Sequence, residues 1–208
     1  MRKSMCGSLL LVGACLSIAT GAWAQQNPGV KKPSTISTDL AVTYTTEYGK
    51  LATAGNSFWL QGASADGAVT LWNGFGIAAN LDDGSGNNLA PGINLNQIQF
   101  AAGPRYTWTE KNDHASTGGR YRLQVFGQGL FGVDHAFNGV FPTPAGVVPT
   151  ATSLAIDAGG GLNLSLNKTF GVRMLEADYI RTSLPNNASN TQNDMRLSFG
   201  VTYHIGKH

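Results

Sequence analysis

The sequence is poor in cysteine, and both cysteines, Cys6 and Cys15, lie close to the amino terminus. Around them, a basic start, an apolar run at residues 9–19 and a small-x-small pattern ending at Ala24 are typical of a secretory signal peptide over residues 1–24. The mature chain would then have no thiol for a disulfide, a zinc site or a cysteine nucleophile. The letters VGAC ending at Cys15 also match the lipobox of bacterial lipoproteins, so acylation at Cys15 is the alternative to cleavage after Ala24.

Long hydrophobic runs are missing as well. The apolar run at residues 9–19 is too short to span a bilayer as a helix, and no later stretch approaches the roughly 20 apolar residues that a spanning helix needs. The sequence therefore excludes a helical membrane protein.

An excess of charge of one sign is absent from the mature chain. The whole sequence has 14 Lys plus Arg and 12 Asp plus Glu, and removing Arg2 and Lys3 with the leader leaves 12 of each. This balance gives no electrostatic reason to expect nucleic acid as a partner. Residues 25–36 contain two prolines and no periodicity, which predicts a flexible periplasmic segment before one domain at residues 37–208.

From residue 37 onward the chain alternates apolar and polar residues with a period of two, and glycine is abundant. This period predicts β-strands, because successive side chains of a strand point to opposite faces. The predicted strands are residues 38–48, 57–65, 69–81, 97–109, 120–133, 153–166, 171–182 and 196–205.

The connections between the predicted strands differ in length at the two ends. In chain order they are 49–56, a tight ADGA turn at Ala65, 82–96, 110–119, 134–152, an NKTF turn at Asn167, and 183–194. With the amino terminus in the periplasm, the long connections fall outside, as they do in outer-membrane barrels with an even strand number. We therefore predict an all-β fold, an eight-stranded antiparallel up-and-down transmembrane β-barrel in the outer membrane of a Gram-negative bacterium.

Lysine indicates which face of the strands meets lipid. All six lysines of the mature chain lie in predicted connections or terminal segments, and none lies within a predicted strand. A water-exposed barrel surface would carry many Lys and Glu side chains, whereas here the polar faces carry mainly Ser, Thr, Asn, Gln and Gly. We therefore expect the apolar faces to contact outer-membrane lipid and the polar faces to line a narrow, packed lumen.

Two acidic residues of the seventh predicted strand, Glu176 and Asp178, share one face and need compensation in a narrow lumen. Inward positions of other predicted strands offer Arg105, Arg122 and Arg196 as partners. Two close carboxylates are also the arrangement of an acid and base pair in an enzyme, but a structural ion-pair network is the preferred interpretation. No catalytic residue is assigned.

The stretch LDDGSGNN at residues 81–88 has the oxygen-rich composition of a calcium loop but lacks its spaced final glutamate. It is predicted to be a solvated glycine-rich loop, so we expect no metal and no cofactor. His114, with Asp113 and Ser116, is the cluster that suggests a hydrolase, but nothing in the sequence brings a base, a nucleophile and an orienting group together.

The chain resembles the small eight-stranded outer-membrane β-barrels that include the membrane domain of OmpA, OmpX and related proteins. The resemblance extends over residues 37–206 and is most specific in VRMLEADYIRT followed by PNNASNTQNDMRLSFGVTYHIG. It implies that the last strand is the signal read by the barrel-assembly machinery, with periplasmic chaperones as further partners during biogenesis. The matching outward positions are Leu197, Phe199, Val201, Tyr203 and Ile205, although this chain continues past Ile205 with GKH where the family usually ends on an aromatic residue.

The leading functional hypothesis is a non-enzymatic integral outer-membrane protein with a packed lumen, whose outside loops make contacts with a partner that the sequence does not identify. The alternatives are a narrow porin-like pore for small solutes and, second, a lipid-modifying enzyme on the same scaffold.

Overall fold

A computed structural model of the chain describes residues 36–50, 57–90, 93–110, 121–186 and 190–206. Within this part, eight antiparallel strands form a closed barrel in which each strand pairs with its sequence neighbours and the last pairs with the first. The strands are β1 Ser37–Lys50, β2 Ser57–Trp72, β3 Phe75–Ala90, β4 Ile93–Thr109, β5 Arg122–Thr143, β6 Gly146–Ser165, β7 Phe170–Thr182 and β8 Gln192–Ile205. The predicted fold is confirmed, whereas the predicted signal peptide lies outside the described residues.

The two ends of the barrel are distinguished by the chain termini. We call the end where β1 begins and β8 ends the base, and the opposite end the top. At the base, the Asn167 side chain accepts hydrogen bonds from the backbone N–H groups of Thr169 and Phe170 at 2.8 and 2.7 Å, which forms the predicted NKTF turn. The described residues contain no helix long and apolar enough to cross a membrane.

The ADGA turn predicted at Ala65 is wrong. These residues lie in the middle of β2, where Asp66 pairs with Ala41 of β1 and with Asn80 of β3. The chain instead reverses at Asn73 and Gly74, whose φ angles are 48° and 88°. Asn-Gly is the pair that a two-residue hairpin of this backbone conformation favours, because both residues tolerate positive φ.

The long outside loops predicted at residues 82–96 and 134–152 are also wrong, because both segments are mostly strand. β3 continues to Ala90, so the stretch predicted as a solvated glycine-rich loop lies in the sheet, and β5 and β6 are 22 and 20 residues long. Lys50, predicted in a connection, is the last residue of β1. Beyond the membrane, neither face of a strand contacts lipid. The hydrogen-bonded ladder therefore continues there without an alternation of apolar and polar residues.

The predicted inward and outward faces are confirmed across the membrane-spanning part. On β1, Val42 is 61% exposed while its neighbour Thr43 is 2% exposed. Aromatic pairs lie on the outer surface, with ring centroids 4.8 Å apart for Phe75–Tyr106 near the base and 5.0 Å apart for Tyr48–Trp59 towards the top. Such rings favour the two interfaces of a membrane, so the apolar belt lies between them.

Candidate functional site

The centre of the lumen holds a network of buried charged and amide side chains. Arg105 on β4 donates two hydrogen bonds to the two carboxylate oxygens of Asp66 at 2.9 and 2.6 Å. Arg173 on β7 donates to the same carboxylate at 2.9 Å and to Glu176 at 2.7 Å. Both guanidinium groups lie over the ring of Phe126, with distances of 4.4 and 4.7 Å to its centroid. One carboxylate thus bridges two cations that both contact one aromatic ring.

A second group of contacts surrounds Arg196 of β8, nearer the top. Its Nη2 atom lies 2.5 Å from Asp157 and 3.3 Å from Asp178, and its Nη1 atom lies 3.6 Å from Asp82. Gln128 joins the two groups, because its amide nitrogen donates to Glu176 at 2.9 Å and to Asp178 at 3.3 Å. The central lumen is therefore filled by one connected set of side chains, which we call the lumen network.

Four of the five residues predicted for an ion-pair network lie in the lumen network, namely Glu176, Asp178, Arg105 and Arg196. Asp178 contacts Arg196, whereas the arginine that contacts Glu176 is Arg173. Arg122 is half-buried at the base and forms no ion pair with any described residue. Asp66 and Asp82 were missed because their segments were assigned to a turn and a loop.

Arg173 was missed because of an irregularity in β7. The register of β7 shifts between Arg173 and Glu176 against β8, and between Leu162 and Asn163 of β6 on its other side. As a result, Met174 and Leu175 both face outward, and Arg173 faces the lumen although it lies three residues before Glu176. A β-bulge breaks the period of two, so no alternation in the sequence assigns this side chain to the lumen.

Carboxylates outnumber arginines in the lumen. Among the described residues, nine Asp and Glu side chains are buried there, whereas the buried arginines are Arg105, Arg173 and Arg196. Above Arg196, the lumen holds Glu47, Asp134 and Asp194, which form no ion pair with a described residue. Within the described residues, no group of three His, Cys, Asp or Glu side chains is placed to hold a metal ion.

Apolar side chains close the lumen at the top. Ala136 and Phe141 of β5 pack with Leu184, and Leu95 and Ala151 pack against this cluster. Phe58 and Leu60 of β2 also point inward and are 9% and 1% exposed. Together with the lumen network, these side chains occupy the middle and the top of the described part of the barrel.

The base of the barrel is more open. A cavity of about 700 Å³ there is lined by the polar residues Asp39, Thr109 and Gln124 and by the aromatic residues Tyr106 and Trp108, among others. Beside it, both ring nitrogens of the His204 imidazole take part in hydrogen bonds, Nε2 with the Ser165 hydroxyl at 3.3 Å and Nδ1 with the Asp39 carboxylate. The sequence does not reveal this contact, because it does not show which residues of distant strands lie opposite each other.

The paired ends of β5 and β6 project beyond the rest of the sheet. Among the described residues, the ladder from β4 reaches β5 only as far as Phe137, and the ladder from β7 reaches β6 only as far as Ala155. We call residues 138–154 the top hairpin. It carries exposed valines, with Val140 53% and Val147 66% exposed, and it contains no charged residue.

The predicted assembly-signal residues form an unbroken outward row on β8. Leu197, Phe199, Val201, Tyr203 and Ile205 are all exposed and alternate with buried residues. Their use as a signal stays a prediction.

The fold is similar to that of two solved outer-membrane proteins. The attachment invasion locus protein Ail of Yersinia pestis, solved in complex with the heparin analogue sucrose octasulfate, is 15% identical, with a TM-score of 0.52 over 83% of this chain and 100% of that chain. Neisserial surface protein A is 12% identical, with a TM-score of 0.54 over 80% of this chain and 96% of that chain. No family model and no curated protein sequence matches. The chain thus has the fold of the small eight-stranded outer-membrane β-barrels.

Proposed function

We propose that this chain is an integral outer-membrane protein that serves as a rigid scaffold for a surface contact, with the base in the periplasm and the top outside the cell. The observation that supports it is a closed barrel with a lipid-compatible outer belt around a filled lumen. A barrel leaves no unpaired backbone edge in hydrocarbon, which is a requirement for any β-structure that spans a bilayer. The lumen network has no catalytic part in this proposal.

The filled lumen favours the scaffold over the pore. Side chains of the lumen network, such as Asp157, Arg173 and Arg196, are at most 1% exposed, and apolar residues cover them at the top. An eight-stranded barrel is just wide enough to be filled by its own side chains. In planar bilayers we expect no ion conductance above that of the lipid alone, and discrete conductance steps would contradict the filled lumen.

The top hairpin is the surface that we assign to the contact. Beyond Phe137 and Ala155 its strands pair only with each other among the described residues, so their outer edges can accept a further strand. Exposed valines at its tip add apolar contact area, and apolar groups that protrude into water often mark a protein contact. The sulfated ligand of Ail is not carried over, because the top hairpin has no basic side chain that would bind it.

The orientation can be tested with single cysteines, because Cys6 and Cys15 would leave with the predicted leader. Ala145→Cys lies at the tip of the top hairpin, and Asn73→Cys lies at the turn between β2 and β3 at the base. We expect a membrane-impermeant maleimide to label the first variant on intact cells and the second only after the outer membrane is opened. Labelling of Asn73→Cys on intact cells would reverse the orientation.

We also propose that the barrel-assembly machinery, with periplasmic chaperones, inserts this chain and reads the outward row of β8. The proposal rests on the resemblance of this row to the closing strand of outer-membrane barrels.

A further inference from the structure

Three polar side chains meet at the base on three different strands. Asp39 lies on β1, Ser165 on β6 and His204 on β8, and all three are buried, with 7%, 6% and 4% of their surface exposed. The His204 ring stands between the other two, with Nε2 at 3.3 Å from the Ser165 hydroxyl and Nδ1 hydrogen-bonded to Asp39. An imidazole held by a carboxylate on one nitrogen and facing a hydroxyl with the other is the arrangement that activates a serine nucleophile.

The barrel register accounts for this meeting. Asp39 and His204 are direct partners where β1 closes on β8. Ser165 is reached across β7, because it pairs with Gly171, which in turn pairs with Thr202. Gly171 has no side chain to fill the space between them, and a Cβ atom built there would lie 2.6 Å from the Thr202 hydroxyl oxygen.

Within the described part of the chain, a hydroxyl without a hydrogen-bond partner lies next to this glycine. The Thr202 Oγ1 atom is buried, in a residue that is 2% exposed, and has no hydrogen-bond partner among the described residues. A buried hydroxyl normally donates its proton to an acceptor. Thr202 lies across Gly171 from Ser165, so its hydroxyl is available to an oxygen that develops negative charge beside the nucleophile.

The cavity at the base borders this group at Asp39. Asp39 and Gln124 line it, and Gln124 lies two residues after Arg122, the cross-strand partner of Ser165. The Arg122 side chain is half-buried and forms no ion pair with a described residue, so a cation lies on the strand next to Ser165. This position suits a small ester that carries an anionic group.

We propose that Ser165, His204 and Asp39 form a hydrolytic site for small carboxylic esters at the base of the barrel. The Ser165 oxygen bonds to the ester carbonyl carbon, and its proton passes to Nε2 of His204. The bond from that carbon to the alcohol oxygen breaks, and the alcohol leaves with the proton from His204. A water molecule, deprotonated by the same nitrogen, then releases the acid and restores Ser165.

Asp39 acts through His204 and is a positioning residue, because it holds the ring with Nε2 facing the serine. Thr202 donates to the carbonyl oxygen during both steps. The site lies at the opposite end from the top hairpin, so it goes beyond the proposed surface contact and departs from the expectation of no enzyme. The sequence concealed it, because its members are separated by 126 and 39 residues along the chain.

The experiment uses the mature chain refolded in detergent micelles and a fluorophosphonate probe. Such a probe bonds to an activated serine oxygen through phosphorus, and fluoride leaves as the serine proton passes to the histidine. We expect one adduct per folded chain, located on Ser165 by peptide mass analysis. Folding of every sample is checked by its heat-modifiable migration in gels. Absence of an adduct on the folded wild-type chain overturns the proposal. This test does not depend on the folding of any variant.

Variants distinguish a reactive site from a set of hydrogen bonds that only stabilises the barrel. Ser165→Ala should abolish labelling, and His204→Gln should slow it at least about 100-fold, since a general base contributes about that much or more. Asp39→Asn should also slow it, and Asp39→Glu should restore part of the rate. Ser64→Ala is the matched control, because Ser64 is a buried lumen serine whose hydroxyl contacts Thr43 at 2.6 Å and no imidazole. Equal labelling of Ser165→Ala, or an unchanged rate in folded His204→Gln, overturns the proposal.

Discussion

Replacement of Arg173 by methionine tests whether the lumen network stabilises the barrel. The change keeps a long side chain and removes hydrogen bonds to Asp66 at 2.9 Å, to Glu176 at 2.7 Å and to Asn163 at 3.1 Å. The two carboxylates are not left in the same state. Asp66 retains both hydrogen bonds from Arg105, whereas Glu176 retains only the donation from Gln128 at 2.9 Å. The unpaired charge is therefore that of Glu176.

The expected magnitude follows from this difference. Breaking a buried ion pair from one side typically costs about 3 to 5 kcal/mol, because the remaining charge stays buried without its partner. Since Asp66 keeps a cation, we expect the lower end, about 3 kcal/mol, for Arg173→Met. The double variant with Glu176→Gln should cost less than the sum of the single changes, by about 1 to 3 kcal/mol.

Urea unfolding in phospholipid vesicles, followed by tryptophan fluorescence, measures these free energies. Arg181→Met is the matched control, because Arg181 lies on the same strand but is exposed. This control should change the free energy of unfolding by no more than about 0.5 kcal/mol. Equal effects of Arg173→Met and Arg181→Met, together with an additive double variant, would refute the reasoning.

Two further predictions concern the outer surface. Val42→Arg, on the apolar belt, should lower the free energy of unfolding by about 2 to 4 kcal/mol, whereas Val140→Arg on the top hairpin should change it by no more than about 0.5 kcal/mol. The two valines are similarly exposed, at 61% and 53%. Equal costs of the two changes in vesicle unfolding would therefore contradict the assigned position of the membrane. Phe199→Ala in the outward row of β8 should reduce the amount of folded barrel in cells more than Phe100→Ala, which removes a similarly exposed ring from β4. An equal loss, measured by heat-modifiable migration of membrane fractions, would remove the role of β8 as a signal.

The sequence predicted the part of the fold that lipid constrains. Where one face touches hydrocarbon, as at Val42, and the other lines the lumen, as at Thr43, composition must alternate, so the strands and their faces can be read. Above the membrane this constraint ends, and the top hairpin therefore looked like a loop. The error at Asp66 had another cause: ADGA has turn-forming residues, while the Asn-Gly pair that forms the turn at the base interrupts an otherwise regular pattern.

The candidate sites depended on register, which the pattern of single strands does not contain. The acidic face of β7 could be predicted from Glu176 and Asp178, but the partners of these residues could not. The register of the barrel determines which residues of distant strands lie at the same height along its axis. The same holds at the base, where Asp39 and His204 are near the two ends of the described chain and meet only because the barrel closes. A closed eight-stranded barrel requires that β1 and β8 pair, but it does not determine which residues are opposite each other.

The bulge in β7 is best understood as a consequence of its charges. In a regular strand, Glu176 would share its face with Met174, and Arg173 would point into lipid, where an arginine costs about 2 to 4 kcal/mol at the bilayer midplane. Glu176 would also lose its contact with Arg173, and a buried charge without its partner costs about 3 to 5 kcal/mol. The bulge disturbs the ladder locally, and each backbone hydrogen bond contributes only about 1 kcal/mol net. Because the charge penalties exceed this loss, the irregular strand is the more stable one, with Met174 and Leu175 both outward and Arg173 inside.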